Sequence, residues 1–303
     1  MNLVNNVFAG EFNQRFLKSF YLKQNDGTLL NQFPVFSTAG ANWQKFTATA
    51  FANQGSCPSL AASTESTYTV INAPVKHFGI YKSFCKNDLA ATVLAAGFNA
   101  NNDWSSEVQA AVLDSLLSRV GEQLYVERWI GNTATGSTIN GIYTQLDAST
   151  TNIDVVGTTI TTANVMTELN KVITAIPAAV KQTGKAKVII TPLIADAIWA
   201  ASFSTPMGQT GTFVINGYKS EVFATYMGVD LVIVSALVSK PNTMIAGIFD
   251  NSEMSGLGWA YNTQEGLARF KESADNSSIY LFEFKMNFAV ALLDPANIVF
   301  YKG

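Results

Sequence analysis

Histidine and cysteine are nearly absent from this chain of 303 residues. His77 is its one histidine, and Cys57 and Cys85 are its two cysteines. Any Ser-His-Asp triad or Cys-His pair would have to use His77, which nearly excludes them, and imidazole-rich zinc sites need more histidines than the chain has. The strand-like sequence around His77 favours a structural role for it. The cysteines fit two free thiols in a reducing compartment better than one disulfide. The sequence therefore predicts no catalytic residue, no cofactor and no bound metal.

Charged residues are also scarce. They make up 14% of the chain, against 48% hydrophobic residues, and the formal net charge is -3. Without a basic patch, sequence-specific recognition of nucleic acid is not expected. A charged fraction this low indicates a protein that buries much surface, including surface between subunits. The most apolar run, residues 188–203, is interrupted by Thr191, Pro192 and Asp196, so no membrane span is predicted. The N-terminus also lacks the pattern of a signal peptide.

Two glycine motifs imitate nucleotide-binding sites without the context that such sites need. In GNTATGSTINGI, Gly131 and Gly136 resemble a phosphate-binding loop. However, Ser137 occupies the lysine position, and the loop follows a helix where the motif requires a strand. Gly256 and Gly258 begin a dinucleotide-like pattern that lacks its third glycine. Neither stretch is interpreted as a binding site.

Other chemistry-bearing residues also fit a structural role. Asp250 and Glu253 lie in the turn-like stretch DNSEM, where carboxylates are usually solvated. The chain has no G-x-S-x-G elbow of a hydrolase. The tryptophans lack the spacing of a stacking platform and are interpreted as core or interface anchors: Trp43, Trp104, Trp129, Trp199 and Trp259. The chain is not predicted to be an enzyme.

The longest periodic segment runs from Ser105 to Gly131 and predicts one helix. Apolar residues recur there every four positions at Val108, Val112, Leu116, Val120 and Leu124. Ser105 is an N-cap candidate and Gly131 a C-terminal stop. At a rise of ~1.5 Å per residue this helix is a rod of roughly 40 Å. We call it the spine helix.

Two segments before the spine helix are too extended to bury themselves. Phe8, Phe12, Phe16 and Phe20 predict a short amphipathic helix in an N-terminal arm. NWQKFTATAF and STYTVINAPV predict two strands of a long hairpin with a polar tip between them. A two-stranded hairpin is barely stable alone in water. Both segments therefore need a surface to lie on.

Residues 161–270 alternate helix and strand and predict an α/β lobe. Thr162 is expected to cap a helix that ends at Pro177, followed by the strand KVII and a helix started by Thr191-Pro192. MGQTGTFVINGY is interpreted as a loop, and GVDLVIVS and TMIAGIFD as strands. The last segment alternates: one set of residues faces the core, at Tyr280, Phe282, Phe284, Met286 and Phe288, and the other set faces outward, at Glu283, Lys285 and Asn287.

This order of elements resembles the major capsid proteins of tailed bacteriophages, which have the Hong Kong 97-type fold. Three stretches carry the resemblance: RWIGNTATGSTINGI is similar to a helix end with a Gly-rich turn, VIITPLIADAIWA to a strand, Ser/Thr-Pro and helix, and MGVDLVIVSAL with IAGIFDNS to paired strands. The resemblance covers nearly the whole chain. It implies an α+β fold with an N-terminal arm at 1–33, an extended hairpin loop (E-loop) at 34–82, a P domain at 83–154, an A domain at 155–245 and return strands at 246–303.

The resemblance also implies a function. The chain is expected to self-assemble, through hexamers and pentamers, into an icosahedral or prolate phage head that encloses double-stranded DNA. Expected partners are copies of itself, a portal, a scaffold, decoration proteins and DNA held without sequence preference. No membrane is expected. The location is the virion, after assembly in the host bacterial cytoplasm. The chain starts without the long prosegment of some members, which predicts a separate scaffolding protein or prior removal of that segment.

Two alternatives remain open from the sequence alone. An encapsulin, a nanocompartment shell that encloses a cargo enzyme, has the same fold. A phage tail or surface adhesin is a binding module of a different class, and it is distinguished by a monomeric state.

Overall fold

A computed structural model describes residues 6–7, 29–34, 41–47, 67–85, 106–204, 213–218, 220–250, 255–261, 267–273 and 279–303. These residues form two large sheets, a two-stranded ribbon and five α-helices. The strands are β1 Asn6–Val7, β2 Asn31–Pro34, β3 Ala41–Thr47, β4 Thr67–Ala73, β5 Lys76–Cys85, β6 Ile153–Val156, β7 Ala186–Ile190, β8 Phe213–Ile215, β9 Ala224–Tyr226, β10 Val229–Ile233, β11 Thr243–Ile248, β12 Leu257–Tyr261, β13 Leu267–Glu272, β14 Ile279–Leu292 and β15 Val299–Lys302. The helices are α1 Ser106–Ile130, α2 Ile142–Ala148, α3 Val165–Ala175, α4 Ala178–Gln182 and α5 Pro192–Ser204. The fold class is α+β, as predicted.

The first sheet is organised by β14, a strand of 14 residues. Its residues 279–288 pair with β5, while residues 280–285 also pair with β13 and residues 288–292 with β12. Because Phe288 has partners in both β5 and β12, these two strands lie on opposite edges of β14. The same reasoning places β13 on the β12 edge. β1 then pairs with β13 and β2 with β12.

The predicted alternation of β14 holds for only part of its length. From Ile279 to Lys285 the residues alternate, with Tyr280, Phe282 and Phe284 buried and the residues beside them half-buried. From Met286 to Ala291 every residue is buried, and the prediction that Asn287 faces outward is wrong, because only 6% of it is exposed. Both faces are covered there, which period-two reasoning does not detect.

The spine helix is α1, and it matches the predicted segment apart from its ends. Val120, Leu124 and Trp129 are buried in the first hydrophobic core together with Phe282, Phe284 and Phe288 of β14. Leu116 packs against that core and is partly buried. Ser105, Phe8, Phe12, Phe16 and Phe20 lie outside the described residues. Leu29 and Leu30, just before β2, are fully buried in the same core.

The second sheet has seven strands in the order β6-β15-β11-β7-β10-β9-β8. β7 and β10 are parallel, β15 and β6 are parallel, and the other neighbours are antiparallel. The expected pairing of GVDLVIVS with TMIAGIFD is wrong, because β7 lies between β10 and β11. The predicted loop MGQTGTFVINGY contains the short strand β8, which pairs with β9.

Successive side chains of the central strands point to opposite faces of the sheet and are buried in two separate cores. Ile189 and Phe300 belong to the first core, whereas Val188, Ile190 and Tyr301 belong to a second core. The second core also holds side chains of α3 and α5: Val165, Leu169, Val172, Ile173, Ile194, Ala195 and Ile198. The second sheet therefore separates the two cores, with α3 and α5 packed on one face and the first core on the other.

The caps of two helices can be compared with the sequence. The helix expected at Thr162 begins at Val165, and Asn164 holds the turn before it by accepting the Thr161 N–H at 2.7 Å. Helix α5 begins as predicted at Thr191-Pro192. The Thr191 hydroxyl accepts the Ile194 N–H at 3.3 Å and donates to the Pro241 carbonyl at 2.6 Å. This second bond ties the start of α5 to the turn before β11.

A buried carboxylate joins α3 to β15. Glu168 accepts hydrogen bonds from Tyr301 Oη at 2.8 Å and from Lys171 Nζ at 2.8 Å. The Tyr301 ring lies so close to Gly157 that a Cβ there would be 2.0 Å from Cζ. Burial raises the pKa of a carboxyl, but the bonds from Lys171 and Tyr301 outweigh it, so the pKa of Glu168 is below its ordinary value. Burial, with the Glu168 carboxylate, raises the pKa of Tyr301 to about 12.

This linkage predicts a pH-dependent effect of Glu168→Gln. A lowered pKa in the folded state means that the carboxylate stabilises the fold above its unfolded pKa of about 4.3, and that this stabilisation is lost as the pH falls through the folded value. We expect the variant to lose about 1–3 kcal/mol of unfolding free energy at neutral pH. We also expect its deficit relative to wild type to shrink on acidification. Urea unfolding across pH measures both, with the exposed Glu122→Gln as control. A deficit that is independent of pH contradicts the linkage.

Candidate subunit interface

The ribbon of β3 and β4 is the predicted hairpin. Its register places Ala41 opposite Ala73 and Thr47 opposite Thr67. Ala73 is buried against a cluster of small side chains and one leucine: Ala260, Ala289, Ala291 and Leu293. Val70, further along β4, is 49% exposed. The ribbon is thus anchored at its Ala73 end, and the side chain of Val70, three residues away, is exposed. The tip, residues 48–66, lies outside the described residues.

The glycine-rich turn after the spine helix depends on two close backbone approaches. The Gly131 N–H donates to the Glu127 carbonyl at 2.9 Å, and the Gly141 N–H donates to the Gly131 carbonyl at 2.8 Å. A Cβ on Gly131 would lie 2.4 Å from the Glu127 carbonyl oxygen, and a Cβ on Gly141 would lie 2.6 Å from the same atom. Gly131 ends the helix, as predicted, but not through a left-handed conformation, because its φ is not positive. Glycine is needed there for space.

Side-chain oxygens accept hydrogen bonds from several backbone N–H groups of this turn. Asn132 Oδ1 accepts the Ala134 N–H at 2.9 Å, and Asn140 Oδ1 accepts the Thr133 N–H at 2.9 Å. Glu127 Oε2 accepts the Thr138 N–H at 3.1 Å. A phosphate-binding loop offers such amides to the anion, whereas here a carboxylate already occupies one of them. The turn is a structural clasp between the spine helix and α2.

Sequence reasoning missed the buried arginine of the spine helix. Arg128 is fully buried, and its guanidinium carbon lies 4.9 Å from the centroid of the Trp259 ring and 5.6 Å from that of Tyr125. This cation–π arrangement joins α1 to β12. A helical arginine near aromatic positions gives no signal by itself, because the same pattern is common on solvent-exposed faces.

The side chains that could carry chemistry are separated in the structure. His77 is exposed on β5, and its Nδ1 lies 2.9 Å from Oδ1 of Asn287, directly opposite on β14. Cys85 is an exposed free thiol at the end of β5. Asp250 forms an ion pair with Lys185 at 3.4 Å. Cys57, Glu253 and Trp104, and the side chain of Trp43, lie outside what the structure describes.

The remaining glycine motif also has a structural setting. Gly256 bridges two strand ends: its N–H donates to the Ile248 carbonyl and its carbonyl accepts the Leu293 N–H, each at 2.8 Å. Gly258 lies within β12. This arrangement differs from the strand–turn–helix of a dinucleotide site.

Metal clusters and membrane-spanning helices are both absent from the described ranges. No group of three or more His, Cys, Asp or Glu side chains in them is placed to hold a metal ion. No helix in the same ranges combines the length and apolar character that crossing a bilayer demands.

Most of the exposed large apolar side chains that the structure describes belong to the second sheet and the elements packed on it: Val156, Leu193, Trp199, Val214, Tyr218, Met227 and Val238. The rings of Trp199 and Tyr218 lie 6.1 Å apart. The Tyr218 hydroxyl donates to Asp196, and burial together with this carboxylate raises the pKa of Tyr218. These side chains lie on both outer edges of the sheet, at Val156 of β6 and Val214 of β8, and on the elements between them, so apolar area is exposed on several sides of the lobe.

Comparison with known proteins gives matches at the level of structure. No family model matches the sequence, and no curated protein matches it. A chain from Gordonia phage Cozz is similar, with a TM-score of 0.59 and 13% identity, over 90% of this chain and 84% of its own. A chain from the capsid of an empty GTA particle gives 0.56 and 12%, over 90% and 87%. One from the capsid of Myoviridae phage XM1 gives 0.53 and 12%, over 100% and 95%.

The chain has the Hong Kong 97-type fold. With identities of 12–13%, this likeness concerns the fold, and it confirms the fold class implied by the sequence resemblance. The Hong Kong 97-type elements among the described residues are the ribbon, the spine helix with its clasp, the α/β lobe built on the second sheet and the return strand β14.

The clasp predicts a large effect from one added methyl group. Gly141→Ala places a Cβ 2.6–2.8 Å from backbone atoms of the last turn of the spine helix, and we expect it to lower the unfolding free energy by about 2–3 kcal/mol. The φ of Gly141 is -70°, so backbone strain does not contribute. Thermal or urea unfolding measures the loss, with Thr150→Ala at an exposed position just after α2 as the control. Equal stability of the two variants contradicts the steric account.

Proposed function

We propose that the chain is the major capsid protein of a tailed phage, a structural protein that assembles into the head shell. The observation that carries the proposal is the near full-length likeness to chains of assembled capsids, over 90–100% of this chain. Two features of the molecule support it. The ribbon exposes Val70 away from its anchor, and the second sheet exposes apolar side chains. Large obligate interfaces cover surfaces of this kind.

The mechanism is repeated self-association. Copies of the chain form hexamers and pentamers, and symmetric closure of such contacts gives a shell, icosahedral or prolate. The domain division stays part of the proposal: arm 1–33, E-loop 34–82, P domain 83–154, A domain 155–245 and return strands 246–303. The ribbon and arm of one copy lie over its neighbours, and the lobes built on the second sheet meet around the capsomer axes.

The partners follow from the same proposal. The shell encloses double-stranded DNA, which a chain of net charge -3 contacts weakly and without sequence preference. A portal, a scaffold and decoration proteins complete the head. The location is the virion, after assembly in the host cytoplasm.

The first test is the assembly state of the purified chain. We expect hollow particles or ring-like capsomers by sedimentation and negative-stain microscopy, with a scaffold co-expressed where needed. Packaged nucleic acid separates a phage head from an encapsulin, whose particles hold a cargo enzyme. A monodisperse monomer in every preparation contradicts the shell and favours an adhesin.

The ribbon tip gives a second test. Deleting residues 54–65, which carry no periodic apolar pattern, should leave the subunit folded. The same deletion should reduce the yield of particles, because the tip contacts a neighbouring copy. A variant of equal length that replaces 54–65 by Gly and Ser is the control for chain length. If both variants form normal particles, the tip has no role in the contact between copies.

A further inference from the structure

A bulky side chain occupies a strained position at the tip of a hairpin. Met227 has a φ of 52° and Gly228 a φ of 76°, and together they join β9 to β10. Two-residue turns with both φ values positive favour Asn-Gly, because a bulky side chain crowds the backbone there. The Met227 side chain is 59% exposed. A strained, exposed apolar residue gains little from its own core, and its position therefore points to a contact outside the subunit.

A hollow of about 240 Å³ lies beside this tip, lined by Ile173, Lys181, Gly184, Ala186, Met227, Gly228 and Val229. Gly184 has a φ of 67°, and no heavy atom lies within 4 Å of where its Cβ would be. Small-molecule sites usually measure about 300–1,000 Å³. The hollow is below that range and suits one protein side chain. Lys185 nearby forms an ion pair with Asp250. Lys181, whose Nζ donates to the Thr174 carbonyl at 3.3 Å, contributes positive charge to the lining of the hollow.

The complementary chemistry lies on the same lobe. Trp199 is 38% exposed and Tyr218 47%, with Asp196 bonded to the Tyr218 hydroxyl. Glu221 is exposed in the loop before β9. Aromatic rings bind both a thioether and an ammonium group, and the two carboxylates add negative charge.

The two surfaces lie toward opposite ends of the parallel pair β7 and β10. Gly184 lies just before β7, and Gly228 directly precedes β10. Helix α5, which carries Asp196, starts beyond the other end of β7. Ala224 pairs with Leu231, so the loop that holds Glu221 extends toward the carboxyl end of β10. One copy cannot bring these two ends together.

We infer that the Met227–Lys181 end of one copy docks on the Asp196–Tyr218–Glu221 end of the next copy. Such a head-to-tail contact is heterologous, and repetition of it closes a ring. The inference rests on the proposed shell function and deepens it, because it names the two surfaces that join subunits within a capsomer. The opposite charges of Lys181 and Glu221 and the fit of Met227 to aromatic rings select a second copy as the occupant.

Charge reversal tests the contact directly. Lys181→Glu and Glu221→Lys each place like charges across the contact, and we expect each to raise the critical concentration for assembly roughly tenfold or more. The double variant should assemble like wild type. An equal mixture of the two single variants should also assemble into even-numbered rings. When the two variants alternate around a ring, every junction pairs an acidic side chain with a basic one. Sedimentation and negative-stain microscopy give the readout, and thermal unfolding checks that each variant folds.

Substitutions at Met227 give an independent test. Met227→Asn relieves the strained φ, so the isolated subunit should melt at a higher temperature while its assembly weakens. Met227→Leu keeps the apolar contact and should assemble. Val126→Asn, at a valine of the spine helix that is 42% exposed and lies outside this lobe, is the control and should leave assembly unchanged.

The outcomes separate the inference from the proposed function. Single reversals that assemble normally, or a double variant and mixture that both fail to recover, overturn the contact while wild-type shells keep the function. Equal loss with Met227→Asn and Val126→Asn also overturns it, since the effect then comes from the loss of any exposed apolar side chain. A wild-type chain that never assembles contradicts the proposed function itself.

Discussion

The pairing of β14 along both edges is the constraint on which the first sheet depends. Segments from residues 31–34, 76–85, 257–261 and 267–272 have no common sheet without it, since each is linked to the others through this strand or its direct partners. Its inward side chains also supply the surface that the spine helix buries. The spine helix is the longest element, yet it is the strand that decides where the other parts go. The register of β14 is fixed by its side chains, because a one-residue slip would move Phe282 and Phe284 out of the first core to the less buried face.

Much of this fold could be predicted from local patterns, and the errors have a common cause. The alternation Tyr280 to Met286, the four-residue apolar period of the spine helix and the Thr191-Pro192 start of α5 are properties of neighbouring residues. The burial of Asn287 is different, because it depends on β12 and on the ribbon base, which are distant in sequence. The order of the second sheet was missed for the same reason. Periodicity reports which face of a strand is apolar and says nothing about which strand comes to lie beside it.

The candidate interface was less visible in the sequence than the fold. Trp199, Tyr218 and Met227 look like core residues in a one-dimensional pattern, since apolar type does not distinguish a surface that faces solvent from one that faces another subunit. One signal was present: Met-Gly between two strand patterns marks a tight hairpin, and a methionine is unusual there. The prediction that the chain carries no catalytic, cofactor or metal site remains untested by what the structure describes. The clasp at Gly131 and Gly141 could be read from the sequence as a turn, but the steric need for glycine appears only when both backbones are placed.

Strand β15 has a further consequence for the timing of synthesis. It lies between β6 and β11, and its residues alternate between the two cores, so both cores stay open until residues 299–302 have left the ribosome. The tie from Tyr301 to Thr158 spans 143 residues, and long-range pairing of this kind forms slowly. A nascent chain therefore has no finished lobe before these residues emerge. In the shell proposed above, this late closure would limit the entry of unfinished copies into the assembly.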